Sequence, residues 1–342
     1  MRVAMYYNNR DVRVEELPIP AIGADEILMK VEASGICGSD VLEWYRVKKA
    51  PLVLGHEVAG TVEKIGEKVK KFKVGDRIVA SHHVPCLTCH YCLNGRETVC
   101  ETLRTTNFHP GGFAEYVRIP AINVERGIYN LPPDVSFEEG SFTEPLACVI
   151  RAQRTIGIPT GATVLVLGAG IAGILHIALA KALGAGKIIA TDISEYRRKS
   201  AVRFGADLSL NPKAEIRNIL KELNHGRLAD RVIVCTGAIN ALKQAFECVD
   251  RGGIILLFAS PGPDEVLPLN IENVFWRTEI TVTSSYAGGP KDHITAIELI
   301  RAKRVPVREM ITHILPLSEV QKGFTLVAQA DESIKVIIKP HT

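Results

Sequence analysis

Up to about residue 140 the chain alternates apolar and polar positions in short runs such as ILMKVEASGI and FAEYVRIP, punctuated by Gly and Pro. Alternation with a period of two sends one face of each run to a core and the other to water, which predicts short strands in a compact antiparallel β domain. The basic run KVKKFK at 68–73, with Lys alternating with Val and Phe ahead of GDRI, is read as a strand edge with one solvated face. From Ala162 the pattern changes. ATVLVLGAGIAGILHIALAKALGA gives an apolar strand, a Gly-rich turn and a helical run, and KIIATD follows as a second apolar strand. Further apolar strands at RVIVCTG, GGIILLFAS and EITVTSS are separated by helical stretches such as NALKQAFECVD, so 151–290 is expected to be a doubly wound parallel sheet. Near the end, HITAIELIRAKR reads as an amphipathic helix and SIKVIIKP as a terminal strand returning to the first domain. The expected organisation is α/β, with 1–150 and 291–342 forming one domain and 151–290 the other.

The stretch 162–180 is almost continuously apolar, but three glycines at one point, with His176 and Lys181 just beyond, suit a strand–turn–helix better than a membrane span. The chain has 342 residues, 46% of them hydrophobic, enough for more than one packed core. Its net charge of +3 is spread along the chain, which argues against a nucleic-acid surface. The opening MRVAMYYNNRDVRVEEL lacks the order of a signal peptide, so a cytoplasmic protein is expected, with thiols kept reduced.

That expectation changes how the cysteines are read. Four of the eight fall in CLTCHYCLNGRETVC, as Cys86, Cys89, Cys92 and Cys100. In a reducing compartment this spacing suits a zinc ion held by four thiolates, a closed structural site with no position left for substrate. Iron–sulfur clusters also use four thiolates but favour other spacings. Buried free cysteines are the bland alternative.

The turn Gly168-Ala-Gly170-Ile171-Ala172-Gly173 lies between a predicted strand and helix, the context in which such glycines let the backbone approach a pyrophosphate at a helix N-terminus. Asp192 ends the next strand, where a carboxylate accepts from both ribose hydroxyls and repels a 2′-phosphate. NAD is therefore expected over NADP, with Arg197 along the adenosine side. A second metal site is suggested by Cys37 in GICGSD and by His56 and Glu57 in LGHEVAG, since Cys and His suit zinc and a site with few protein ligands keeps the open position that catalysis requires.

Together these motifs resemble the zinc-containing medium-chain alcohol and polyol dehydrogenases across nearly the full chain. GHEVAG at 55–60 with TVEKIGEKV after it resembles that family's zinc signature, GDR at 75–77 follows in place, the cysteine quartet has the structural-zinc spacing, and GAGIAG with Asp192 matches the coenzyme turn. The resemblance implies a GroES-like β-rich catalytic domain joined to a Rossmann coenzyme domain. It also implies two zinc ions per chain. In TEPLAC at 143–148, Glu144 stands where ordinary alcohol dehydrogenases carry a cysteine, as in the sorbitol-type polyol branch. The implied catalytic set is then Cys37, His56 and Glu144 around zinc with Glu57 close by, Ser39 as the proton-relay hydroxyl, and Asp40 orienting His56. Hydride would pass between a polyol or secondary alcohol and NAD, in either direction.

Departures limit what the resemblance says about substrate. Leu42 stands where ordinary alcohol dehydrogenases place a relay histidine, and Glu43 and Ser285-Tyr286 replace the aromatic and the arginine of the sorbitol pocket. Phe108, Ser285 and Tyr286 are candidates for lining a pocket, while Cys148, Cys235 and Cys248 are read as core residues. Threonine 3-dehydrogenase and polyol-phosphate activities share the motifs; a non-enzymatic zinc-binding module is a more distant alternative. The expected partners are a small alcohol or ketone and further copies of the chain, as dimer or tetramer, through the edge strand in EITVTSSY. Neither nucleic acid nor membrane is expected.

Overall fold

The structure, a computed structural model, describes residues 1–330 and 332–342. The chain divides into two compact units, Met1–Cys148 with Ala287–Lys303 and Val307–Thr342, and Val149–Tyr286 with Arg304–Pro306.

The first unit is built on a sheet that runs Ile311–Pro316, Lys335–Lys339, Ile27–Gly35, Glu57–Ile65, Arg77–Ala80 and Ile128–Asn130, with Tyr116–Ile119 also pairing Ile27–Gly35. Its pairings are antiparallel except between the two C-terminal strands, which lie parallel. A second sheet holds Asp11–Glu16, Arg2–Asn8 and Leu52–Val53. Period-two patterning is visible in the core, where Ile27, Met29 and Val31 of one strand meet Val58 and Val62 of the next and Val117 and Ile119 beside them. KVKKFK is not a strand edge. Residues 68–73 form an irregular loop between Glu57–Ile65 and Arg77–Ala80, with Val69 and Phe72 buried three positions apart and the lysines exposed. The Val69 N–H bonds back to the Gly66 carbonyl (3.0 Å), so the chain turns where a strand would need to run straight.

The second unit is a six-stranded sheet, every pairing parallel. Its order is Leu208–Leu210, Lys187–Thr191, Thr163–Leu167, Ala229–Val234, Val249–Leu257, Thr281–Ser284. Chain order 3-2-1-4-5-6 reverses direction at Thr163–Leu167, which puts a crevice at the C-terminal end of that strand. The suspect apolar stretch is this strand, fully buried, and the helix Ile171–Ala182, buried over 173–180. Among the described residues no helix is long and apolar enough to cross a membrane.

His176 shows how closely the helix Ile171–Ala182 is packed. It is fully buried, Gln153 Nε2 lies 3.2 Å from its Nδ1 and donates to its carbonyl (2.7 Å), and the Phe258 ring meets it edge-on at 4.6 Å. Burial pushes the imidazole down from 6.5 to about 3. The unfolded chain therefore takes up a proton below about 6.5 that the folded chain refuses, so this contribution to stability is intact above 6.5 and is lost as pH falls toward 3. Between pH 7 and pH 5 the loss is about 2 kcal/mol. Urea midpoints of the wild type should drop over that interval, and His176→Gln should show a shallower drop; equal slopes in both proteins would contradict the assignment.

Candidate active site

Strand Ile27–Gly35 delivers Cys37 to the start of a single 3-10 turn, Gly38–Val41. The thiol accepts from the backbone N–H and the hydroxyl of Ser39, both at 3.4 Å. Asp40, fully buried, accepts from the Cys37 N–H (3.1 Å) and faces His56 Nδ1 (3.5 Å) and Arg46 Nη2 (3.4 Å). Burial alone would raise the Asp40 carboxyl, but His56, Arg46 and the Cys37 N–H hold it below the ordinary carboxylate range.

Glu57 opens the strand that carries the GHE motif and lies opposite Gly35 in the ladder. Its carboxylate is ion-paired with Lys335 of the C-terminal strand, and both side chains are buried. Lys335 Nζ also donates to the Ile36 carbonyl (3.2 Å) and sits over the Phe142 ring. Any Cβ at Gly35 would collide with Glu57 and Lys335, so glycine is required there for the pair to close.

Among the described residues two groups gather at least three donor atoms within 4.8 Å of one another. One is Cys37, His56 and Glu57; the other is Cys86, Cys89, Cys92 and Cys100. In the quartet, sulfur–sulfur distances of 3.6, 3.6 and 4.0 Å match the edge of about 3.8 Å expected for tetrahedral thiolates at zinc's bond length. Backbone N–H groups of Thr88 and Cys89 point at Cys86 Sγ (3.5 and 3.2 Å), and that of Cys86 at Cys100 Sγ (3.4 Å), which stabilises thiolate charge. Both donor sets fit zinc.

Glu144 stands outside the Cys37 group, as the second residue of helix Thr143–Ile156. Burial pushes its carboxyl up and the nearby His56 partly offsets this. Cys148, one turn on, donates to Glu144 Oε1 (3.4 Å), so Cys148 is a neighbour of the site rather than an apolar core residue. Phe108 belongs to the β core and meets the His82 ring at 6.2 Å. Glu43 is held by the Asn9 N–H (3.1 Å); Ser285 is half-buried and Tyr286 exposed.

In the second unit Gly168 has φ +95, a conformation that favours glycine, and follows Thr163–Leu167 directly. Gly170 caps the helix, and Ile171, Ala172 and Gly173 precede its first internal bond, Ile174 N–H to the Gly170 carbonyl (2.9 Å). Asp192 accepts from Ala169 N–H (2.8 Å) and Ser194 N–H (2.9 Å), so it braces the turn. The Arg197 guanidinium lies against the open face of Gly170.

Two family models match the chain, the alcohol dehydrogenase GroES-like domain over residues 23–130 and the zinc-binding dehydrogenase over 172–302. The chain is 31% identical to sorbitol dehydrogenase of Bacillus subtilis, covering 100% of this chain and 98% of that one. It is 33% identical to L-threonine 3-dehydrogenase of the same organism, over 95% and 94% of the two chains. A zinc-binding dehydrogenase from Sinorhizobium meliloti 1021, solved bound to NADP, superposes with a TM-score of 0.87 at 29% identity over 99% of each chain. The chain belongs to the zinc-containing medium-chain alcohol and polyol dehydrogenases. The β-rich unit of this dehydrogenase is its GroES-like domain and the parallel sheet its Rossmann domain.

Four groups around the candidate site of this dehydrogenase escape sequence reading. Lys335 lies 278 residues beyond Glu57, and nothing in SIKVIIKP singles it out. Arg46 reaches Ser39 and Asp40, and His82 packs its ring on His56 at 4.9 Å. Cys148 offers a signal only in its spacing of four from Glu144 on a helix.

Proposed function

We propose that this dehydrogenase moves hydride between a polyol or related secondary alcohol and a nicotinamide dinucleotide, with NAD preferred. The observation that carries the reading is the convergence of Cys37, His56 and Glu57 donor atoms within 4.8 Å in the same unit as a separate four-cysteine cluster. A zinc ion at the first group would supply the Lewis acid that makes a substrate hydroxyl easier to deprotonate. Cys37 and His56 would hold it, with Glu144 as third ligand directly or through water. Asp40 lies 3.5 Å from His56 Nδ1 and would orient the ring so that Nε2 is left to hold the ion. Glu57, paired to Lys335, fixes the charge behind the ligands. Ser39 exchanges the substrate proton. A second zinc ion on Cys86, Cys89, Cys92 and Cys100 would keep that lobe folded. Likeness to sorbitol dehydrogenase supports the polyol class.

The test is metal content together with coenzyme reduction over sugar alcohols, inositols, phosphorylated polyols and threonine. About two zinc ions per chain with turnover of a polyol is expected. One zinc ion and no turnover of any alcohol would overturn the reading; turnover of threonine alone would move the substrate class.

Coenzyme choice follows from Asp192. Its carboxylate accepts from the Ala169 N–H at the start of the glycine turn, where a 2′-phosphate would meet a negative charge. NAD should therefore exceed NADP in kcat/KM by about tenfold or more, the discrimination one charge-assisted contact gives. Asp192→Ser should narrow that ratio, because Arg197 beside Gly170 then faces the phosphate without opposition. A wild-type preference for NADP would reverse this assignment. Among the described residues the edge strand Thr281–Ser284 pairs with Val249–Leu257 alone, and it would pair with its copy across a twofold axis, making a dimer or tetramer measurable by light scattering.

A further inference from the structure

The proton exchanged at Ser39 needs somewhere to go, and Leu42 offers no acceptor. A charged side chain does reach Ser39, that of Arg46 at the end of the one-turn helix Glu43–Arg46. Its Nη2 donates to Ser39 Oγ (3.1 Å) and its Nε to the Ser39 carbonyl (2.9 Å). Asp40 holds the same guanidinium from the other side (Nη2 to Oδ1, 3.4 Å), and the Tyr45 ring covers it at 4.8 Å. The arginine side chain is only 15% exposed, so its placement is built into the fold.

A serine hydroxyl has one proton and two lone pairs. Arg46, which can only donate, occupies one lone pair. The hydroxyl proton in the structure is directed at Cys37 Sγ (3.4 Å), a weak acceptor that surrenders it readily to a better one. The oxygen is thus held in place by a fixed cation while its proton and second lone pair stay available.

We propose that Arg46 is the positioning residue for Ser39, aiming its hydroxyl at the substrate oxygen. The inference rests on the dehydrogenase reading above. In ketone reduction a bound dihydronicotinamide would supply hydride, with its electron pair, to the carbonyl carbon, and Ser39 would give its proton to the oxygen as the C=O becomes C–O. The serine oxygen, paired with Arg46, then takes a proton from water. Oxidation runs these steps backward: water accepts the serine proton, the serine takes the alcohol proton, and NAD is reduced. No histidine is required, because water exchanges the proton with Ser39 directly while Arg46 holds the serine oxygen in place.

The experiment is a cycle of Ser39→Ala, Arg46→Met and the double variant, with Arg46→Lys and added guanidinium chloride as rescue arms, on holoenzyme whose zinc content and melting temperature are measured first. Arg46→Met should lower kcat by roughly 10- to 100-fold, the worth of one charge-assisted hydrogen bond, with coenzyme KM unchanged. Guanidinium should restore part of the loss, and Arg46→Lys should retain more than Arg46→Met. In the Ser39→Ala background, Arg46→Met should add less than about a threefold loss, because the two act as one unit. Full additivity, or absence of rescue in a variant with wild-type zinc content and melting, would overturn the proposal. So would a kcat loss explained wholly by missing zinc in both Arg46→Met and Arg46→Lys. Wild-type turnover in Ser39→Ala would instead remove Ser39 from the reaction, which is a failure of the parent reading and is told apart by that single variant.

Discussion

Cys37→Ser should lower kcat/KM by roughly a thousandfold or more and reduce zinc from about two ions per chain to about one. The magnitude follows from what the ion supplies. Lewis-acid stabilisation of a developing oxyanion is worth several kcal/mol, and about 4 kcal/mol is roughly three powers of ten in rate. Serine keeps the volume near that of cysteine but offers a neutral hydroxyl in place of a thiolate, so the donor set around His56 loses both charge and softness. The four-cysteine cluster shares no ligand with Cys37, so its ion and its lobe should survive, and the melting temperature should move far less than the rate. Metal analysis and kinetics on one preparation check both halves. A Cys37→Ser protein holding two ions with undiminished turnover would remove the Cys37–His56 centre from the chemistry.

The contrast between the two cysteine sites also marks how far sequence reading reaches. Cys86, Cys89, Cys92 and Cys100 lie within one local segment, so spacing alone specifies their geometry, and the sulfurs stand where spacing puts them. The glycine turn is legible for the same reason, since strand, turn and helix are contiguous. The parallel sheet follows from apolar runs buried on both faces, yet the strand Leu208–Leu210 carries no such signal, being three half-buried residues at the sheet edge. KVKKFK misleads because a loop that buries every third residue can imitate alternation over six positions. What stays hidden is pairing between distant segments. Arg46 on Ser39 depends on a one-turn helix of four residues, too short to leave a period. Cys148 reads as apolar until Thr143–Ile156 winds it onto Glu144.

Lys335 is the extreme case, and its removal carries the second large effect. Lys335→Met should destabilise the β-rich unit by about 3–5 kcal/mol, because it leaves the Glu57 carboxylate buried without a counterion. The pair cannot relax toward water. Glu57 and Lys335 are each about 1% exposed, Gly35 leaves room for them only between two paired strands, and Lys335 is tied to the Ile36 carbonyl as well. Glu57 already belongs to the Cys37–His56 donor group, so an orphaned carboxylate would be drawn toward any cation bound there. Drawn there, it would fill the coordination position that substrate needs, so the variant should lose kcat as well as stability. Glu57→Gln with Lys335→Met removes the unpaired charge, and its denaturant midpoint should recover at least half of the single variant's loss, giving a coupling well outside additivity. If instead Lys335→Met unfolds within about 1 kcal/mol of wild type, the pair is solvated and contributes as weakly as a surface ion pair. The strand that closes the sheet would then be held by its ladder alone, and the charge behind the metal ligands would have to be set by other groups.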